Sequence, residues 1–414
     1  MKRLVWVAGI VIGLPLVWIG VSGWLSARQE RANAGRVWIS SGLTIEQAAQ
    51  RFPKTVTSPA ALEIEAAGNR MGIPFAYRRP PGPPEQKVFS KLNLGTFVEA
   101  AIGSGDDAVP PTPPAIAAFL ASHAQEIAAI RAAATGQLEW HTDIGAAFRG
   151  TVPSLMGHRG VQNLLAADAL DRLSKRDVKG ALECVEAGWR INDALRRRPE
   201  LLSQIVAAQL DANPLGVLRK VRRAATGWSE RVLGHDHRDS TRMAEQVETW
   251  MFSEAARGPV SGGAGPAGPP GVGRMMRAPL ERSFVRLWTA RHTRLMWQLD
   301  GQIHAIGPCA LDKAGADSVI ASYSSGWNLR SRSIVKSYVR TLQQAVRRSL
   351  DAELTRKILD SDALTGTGTL PSSVCAGVNW QYRATPHEIS LAIDRDPLAG
   401  TGVRGLPLSF TGRR

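Results

Sequence analysis

His235-Asp236-His237 is where residue type and spacing come closest to chemistry. Two imidazoles at i and i+2 lie on one side of an extended segment, so they can share a divalent metal, with Asp236 or Asp239 adding an oxygen. A water activated on that metal would make the chain a metal-assisted hydrolase. The competing reading is a solvated loop, because the triplet follows Gly234 in a polar run. No HExxH accompanies it, and short motifs of this kind often match by chance. His235 and His237 are therefore the metal-ligand candidates; no catalytic or cofactor-binding residue is assigned and no cofactor is expected.

The remaining chemistry-bearing residues read more simply as structure. His292 lies four residues after Trp288 on an apolar face, which marks a core histidine, and His304 falls at the end of the same periodic stretch, where it can cap a helix. Glu139-Trp140-His141-Thr142-Asp143 sets carboxylates beside an imidazole, but no Gly-x-Ser-x-Gly elbow is present to supply a nucleophile. Ser154, after Pro153, reads as a turn residue. There is no Walker loop and no dinucleotide fingerprint, and the Gly-rich stretch 262–273 lacks the lysine of a phosphate loop. The tryptophans fall mostly at helical spacing, hence in the core.

The amino terminus decides location. Met1-Lys2-Arg3 precedes an uncharged run, and its most apolar part, Leu4–Leu25, is 22 residues long. At ~1.5 Å per residue a helix of that length spans the roughly 30 Å hydrocarbon layer of a bilayer. Trp6 and Trp24 sit near its ends, where interfacial anchors belong. The rival is a cleaved signal peptide, for which the run is long and the small-residue cleavage sites poor. The expectation is a single-pass anchor in a bacterial inner membrane, with the body on the periplasmic or outer side.

The net charge is +15, built from 41 arginines and only 10 lysines scattered among acids. A nucleic-acid protein clusters its cations in a stripe or tail, so no nucleic-acid partner is expected. An Arg-favouring genome composition is the plain explanation; attraction to anionic lipid is the second. Cys184 falls inside a helical pattern and reads as buried, whereas Cys309 and Cys375 can pair in an oxidising compartment, a question of geometry that spacing leaves open.

Periodicity predicts a mainly α chain: an anchor (1–27), a segment with one capped helix and proline-rich stretches (28–110), a helical-hairpin core (111–257), a Gly/Pro-rich loop (258–278), long helices (279–360) and a tail with a β-hairpin (361–414). Thr44 with Gln47 forms a capping box before a short helix that Phe52-Pro53 ends. One proline-rich loop occupies 78–84; a second, 110–114, launches a helix from Ala115 to Ala134. Between 159 and 225 come three amphipathic stretches, with a polar break at Lys175-Arg176-Asp177 and a kink expected at Pro214. Short breaks between such helices imply antiparallel neighbours, in part like tetratricopeptide hairpins. Val378, Trp380 and Tyr382, then Ile389, Leu391 and Ile393, alternate with polar residues as a β-hairpin does.

The stretch Gly42-Leu43-Thr44-Ile45-Glu46-Gln47-Ala48-Ala49-Gln50-Arg51-Phe52-Pro53, then Gly180-Ala181-Leu182-Glu183 and Arg198-Pro199-Glu200-Leu201-Leu202-Ser203-Gln204, resembles a family of membrane-anchored, mostly helical bacterial proteins of unknown function. That resemblance implies the same layout of anchor, helical middle and small β tail, and brings no catalytic residues. The reading that follows is a non-catalytic envelope scaffold whose partner is a protein or the cell wall. The alternative is an extracytoplasmic hydrolase using His235 and His237.

Overall fold

The computed structural model describes residues 2–75, 84–145, 154–225, 227–257, 272–323 and 329–414, with only the backbone described at 2–15, 84, 272–278 and 329–331. Its helices are α1 (Lys2–Asn33), α2 (Ile45–Gln50), α3 (Pro59–Arg70), α4 (Pro84–Lys91), α5 (Leu94–Ile102), α6 (Pro114–Ser122), α7 (Ala124–Ala133), α8 (Leu155–Ser174), α9 (Val178–Arg196), α10 (Leu201–Leu210), α11 (Ala212–Lys220), α12 (His237–Arg257), α13 (Val272–Ile306), α14 (Lys313–Ser322) and α15 (Leu329–Leu359). Four strands follow, β1 (Gly366–Pro371), β2 (Asn379–Ala384), β3 (Glu388–Ile393) and β4 (Ser409–Arg413). The chain is mainly helical with a small carboxyl-terminal sheet, as periodicity predicts. The proline-rich 78–83 and most of the Gly/Pro-rich loop, 258–271, lie outside the described residues.

The chain divides into two units. One is built mainly from Met1–Pro53 and Glu245–Ala305. Among the described residues no helix is long and apolar enough to cross a membrane, and much of the apolar run 4–25 falls where only backbone is described. From residue 16 onward α1 exposes Leu16, Val17, Trp18, Val21 and Trp24 and buries Ser22 and Ser26. Asn33 donates to the Ala290 carbonyl at 2.8 Å, Trp297 to the Val37 carbonyl at 3.0 Å, and the Ser40 amide to Asp300 at 3.0 Å. These contacts advance together, so α1 and the segment after it run parallel to α13. The expected capping box is formed: the Thr44 hydroxyl accepts from the Gln47 amide and the Gln47 side chain accepts from the Thr44 amide. His292 is a core residue, stacked on Trp288 and edge-on to Phe252. His304 is exposed.

The second unit comprises Lys54–Thr142, Thr151–Ala244 and Ile306–Arg414. Its centre is the α8–α9 hairpin. Arg176, at φ 65°, turns the chain left-handed, and Asp177 then caps α9 by accepting from the Gly180 amide at 2.9 Å. The predicted helix from Ala115 to Ala134 is instead two helices that break at His123. There the Phe119 carbonyl is shared among the His123 amide, the His123 ring and the Ser122 hydroxyl, which ends the first helix. The kink expected at Pro214 lies earlier, at Asp211 between α10 and α11. Pro214 sits in the first turn of α11, where its missing N–H costs nothing. Gly216 lets α11 approach α5, since a side chain there would lie 2.4 Å from the Ile102 Cβ.

The predicted hairpin is β2–β3, but it is the middle of a four-stranded antiparallel sheet in the order β1-β2-β3-β4. Its inner face, with Trp380, Ile389, Leu391 and Phe410, packs on the α15 stripe of Val346, Leu350, Leu354 and Ile358. Cys309 and Cys375 are joined by a disulfide, and Cys184 is free and buried.

A basic run, Arg219-Lys220-Val221-Arg222, ties the helices to the tail. Arg219 is 2% exposed and donates to Thr355 Oγ1 (2.9 Å), the Asp351 carbonyl (2.9 Å) and the Pro407 carbonyl (2.8 Å). Lys220 reaches Ser104 and Asp106, and Arg222 reaches Asp362 and the Arg413 carbonyl. The Asp351 carboxylate accepts from Arg348 at 2.6 Å and the Leu406 amide at 3.2 Å, with Arg347 3.5 Å away. Burial pushes the Arg219 guanidinium down to about 10, still charged at neutral pH.

Two outcomes follow. Thiol titration of the unfolded chain yields one reactive cysteine before reduction and three after, and reduction lowers stability by about 2–4 kcal/mol in urea melts; three thiols before reduction would refute the pairing. Asp351→Ala leaves Arg347 and Arg348 without their shared acid beside the buried Arg219 and costs about 3–5 kcal/mol in the same melts.

Candidate functional site

His237 is the first residue of α12 and its ring is buried, not solvated in a loop as one reading of the triplet expects. The reason is a partner far back in sequence. His237 Nε2 lies 2.7 Å from Asp211 Oδ2, with both side chains almost wholly buried. Asp211 closes the gap between α10 and α11, and it also accepts from Asn192 Nδ2 at 2.5 Å and from both Nε (3.2 Å) and Nη2 of Arg196. Burial alone would raise the Asp211 carboxyl; the Arg196 charge and the His237 hydrogen bond overcome it and hold the group far below the usual carboxylate range.

His235 sits edge-on to His237, ring centroids 4.7 Å apart. Its Nε2 is buried without a hydrogen-bond partner, and burial pushes the imidazole down to about 3. Asp236 turns away, held by Arg238 at 2.8 Å, while Arg238 also donates to the Val374 carbonyl. The structure therefore brings the two histidines together with a carboxylate, but a different one from Asp236 or Asp239. That carboxylate is neutralised by arginine, and among the described residues no three side chains are set to hold a metal ion. The arrangement suits a buried ionic tie between α9, α11 and α12.

The tie continues outward through rings. Arg196 stacks on Trp189 at 4.1 Å, and Trp189 meets Trp228 edge-on at 5.6 Å. Trp228 lines a groove of about 710 Å³ between α7 and α9. Val178, Leu182, Ala187 and Trp228 form its floor, with Ala128 and Ala132 on the α7 wall. The rim is charged: Arg131 faces Glu183 at 3.4 Å, and Glu186 is held by Arg190 at 2.6 Å and Arg231 at 2.7 Å. Burial pushes the Glu186 carboxyl up, and Arg231 and Arg190 more than reverse it, so the group stays ionised. Arg231 also lies over the Trp228 ring at 4.0 Å. Lys179 takes no ion pair among the described residues. The groove was not read from the sequence; its one signal is Val178, Leu182, Glu186 and Arg190, a half-polar stripe beside the stripe that faces the core.

The other sequence candidates are structural. The Trp140 indole donates to Glu65 at 2.9 Å, and Arg198 clamps the carbonyls of Trp140 and His141 at 3.0 and 2.9 Å. The Ser58 and Thr57 hydroxyls accept from the Glu139 and His141 amides at 3.2 and 3.1 Å, which ties the stretch to the segment before α3. Ser154 caps α8 and donates to the Pro74 carbonyl at 2.9 Å. His158, fully buried between Trp140 and Phe75, has no partner on either ring nitrogen, and burial followed by the Arg198 charge pushes it down to about 3. Cys184 donates to Asp168 at 3.0 Å, and burial pushes its thiol well above the ordinary range, so it is inert.

No protein-family model matches the chain, and no curated protein or solved structure is significantly similar to it.

Burial depresses three imidazoles, His292 to about 4 and His158 and His235 further, and the last two fix a pH window. The unfolded chain binds protons at His158 and His235 below about 6.5, whereas the fold resists until about 3. Their contribution is thus complete above pH 6.5 and is lost as pH falls towards 3. His158→Leu should remove about 2 kcal/mol of the loss otherwise seen between pH 7 and pH 5; urea midpoints of the variant that track the parent at both pH values would exclude this source.

Proposed function

We propose that this chain is a non-catalytic scaffold of the bacterial envelope, anchored through residues 4–25, that binds a partner protein in the groove between α7 and α9. The observation that carries the reading is the lining of that groove. Its floor is aliphatic and aromatic, its rim charges are engaged with one another except Lys179, and its described lining residues include one hydroxyl, Thr135, and no histidine, cysteine or serine. Such a surface binds by burying apolar area within a polar border, which is how protein interfaces are built.

Location is supported separately. The disulfide Cys309–Cys375 is of a kind that persists outside the cytosol. The exposed apolar residues of α1, Leu16 to Trp24, suit a lipid environment, and Arg28 lying over Trp24 at 5.5 Å suits the interface. The layout also fits the membrane-anchored helical proteins that the sequence resembles. A hydrolase working through His235 and His237 draws little support, because the carboxylate that His237 meets is already neutralised by Arg196.

The test is crosslinking in the native host. A photo-reactive phenylalanine analogue at Ala132 should capture one discrete protein, and the same probe at Gln381 on the exposed sheet should not. In spheroplasts added protease should digest the body, which stays with the membrane fraction in intact cells. Equal capture at both positions, or a protected body, would overturn the reading.

A further inference from the structure

The groove's dimensions and charges say what would fill it. Along α9 its residues run from Val178 to Arg190 with the spacing of one helical face. At ~1.5 Å per residue that is about 18 Å, the length of a helix of about twelve residues. The lining is small and aliphatic, with Ala128 and Ala132 from α7 and Val178, Leu182 and Ala187 from α9, and Trp228 beside them. An open trough of this kind accepts the apolar stripe of a helix, whereas an acyl chain needs a closed tube.

The rim favours one sign of partner. Arg131, Lys179 and Arg190 stand against Glu183 and Glu186 in the lining, and Arg231, behind it, holds Glu186 as well. Both acids are taken by arginines, so a partner meets cationic groups with spare hydrogen-bonding capacity: Lys179 outright, and the donors that Arg190 leaves over from Glu186 and the Thr135 carbonyl. An acidic flank would complete them, and a basic one would be repelled.

Resting on the interaction reading above, we infer that the occupant of the α7–α9 groove is an amphipathic helix of about three turns, apolar at i, i+3, i+4 and i+7 and flanked by Asp or Glu, contributed by the partner protein. This is the helix-in-groove mode of recognition.

The test is a selection that makes no assumption about the partner's identity. A displayed library of random 16-residue peptides is panned on the full-length chain in nanodiscs and counter-selected on the Ala128→Glu/Ala132→Glu double variant. Both alanines are exposed on α7, and an unchanged circular-dichroism melt confirms that the variant folds. Expected winners carry the apolar stripe with acidic flanks. A synthetic winner should bind at least tenfold more tightly than its Glu-to-Lys counterpart, lose several-fold affinity on Lys179→Glu, and weaken as salt rises from low to several hundred millimolar. Winners with neutral or basic flanks, binding that survives the double variant, or no enrichment would each overturn the inference, as would a lipid found in the groove by native mass spectrometry. If acidic helices fail here while the Ala132 crosslinker still captures a protein in cells, the partner's chemistry is wrong and the interaction reading stands; if both fail, both fall.

Discussion

The fold of the larger unit turns on one crowded electrostatic problem: two guanidinium groups, Arg347 and Arg348, share one fully buried carboxylate, Asp351, while a third, Arg219, is buried beside them on the Asp351 carbonyl. Placing ions in an interior costs several kcal/mol each unless every donor is satisfied. Here satisfaction demands a particular assembly. Arg219 comes from α11, Asp351 and Thr355 from α15, and the Pro407 carbonyl and Leu406 amide from the segment before β4. Helix, long helix and tail must arrive together, or arginines remain buried without partners. The apolar contacts of α15 with the sheet supply bulk attraction, but many registers of a hydrophobic stripe come close in energy. The polar cluster penalises all but one.

The second ionic centre works in the same way with different parts. Asp211 interrupts what would be one helix and spends its carboxylate on Asn192, Arg196 and His237. It thereby fixes where α12 begins relative to α9. The Arg196 plane then fixes Trp189, and Trp189 fixes Trp228, the end wall of the groove. A surface made largely of alanine on α7 would be vague without such support. The buried ionic pair gives it a rigid end, and the Arg231–Glu186 pair clamps the outer face of the same tryptophan. Binding surfaces that keep their shape when empty lose less entropy on association.

How much of this is legible in sequence follows from the range of each interaction. The α8–α9 hairpin, the capping box at Thr44 and the β2–β3 hairpin are local patterns, repeated every turn or every second residue, and they read directly. The break at His123 is a contest over one carbonyl inside a good helical pattern, which periodicity cannot see. β1 has two glycines and a proline in Gly366–Pro371 and β4 is short, so neither carries the alternation that marks a strand. The histidine pair is misread as solvent-facing because its partner, Asp211, lies more than twenty residues upstream. Asp211 itself was a signal: a lone acid between the apolar faces of two helices requires a cation or an imidazole. The groove has no sequence signature of its own, since its walls come from stretches some fifty residues apart.

The arginine excess also changes meaning once the side chains are placed. Composition alone explains arginines on a surface, yet Arg196, Arg198, Arg219, Arg222 and Arg348 are buried. Much of the arginine bonding goes to backbone carbonyls, some in irregular segments and others, at Asp351 and Arg413, within α15 and β4. Arg198 takes those of Trp140 and His141, Arg219 those of Asp351 and Pro407, Arg222 that of Arg413, and Arg347 that of Leu406. Carbonyls buried outside a ladder need donors, and a planar fork of N–H groups can serve two at once while staying ionised. Lysine, a point charge that sheds its proton more readily on burial, serves such sites poorly. At Trp140, His141, Leu406 and Pro407 it is arginine, and not a ladder, that supplies the donors. The same preference leaves arginines around the groove whose donors exceed the acids beside them, so the acidic partner proposed above would find its cations supplied largely by how the fold is held.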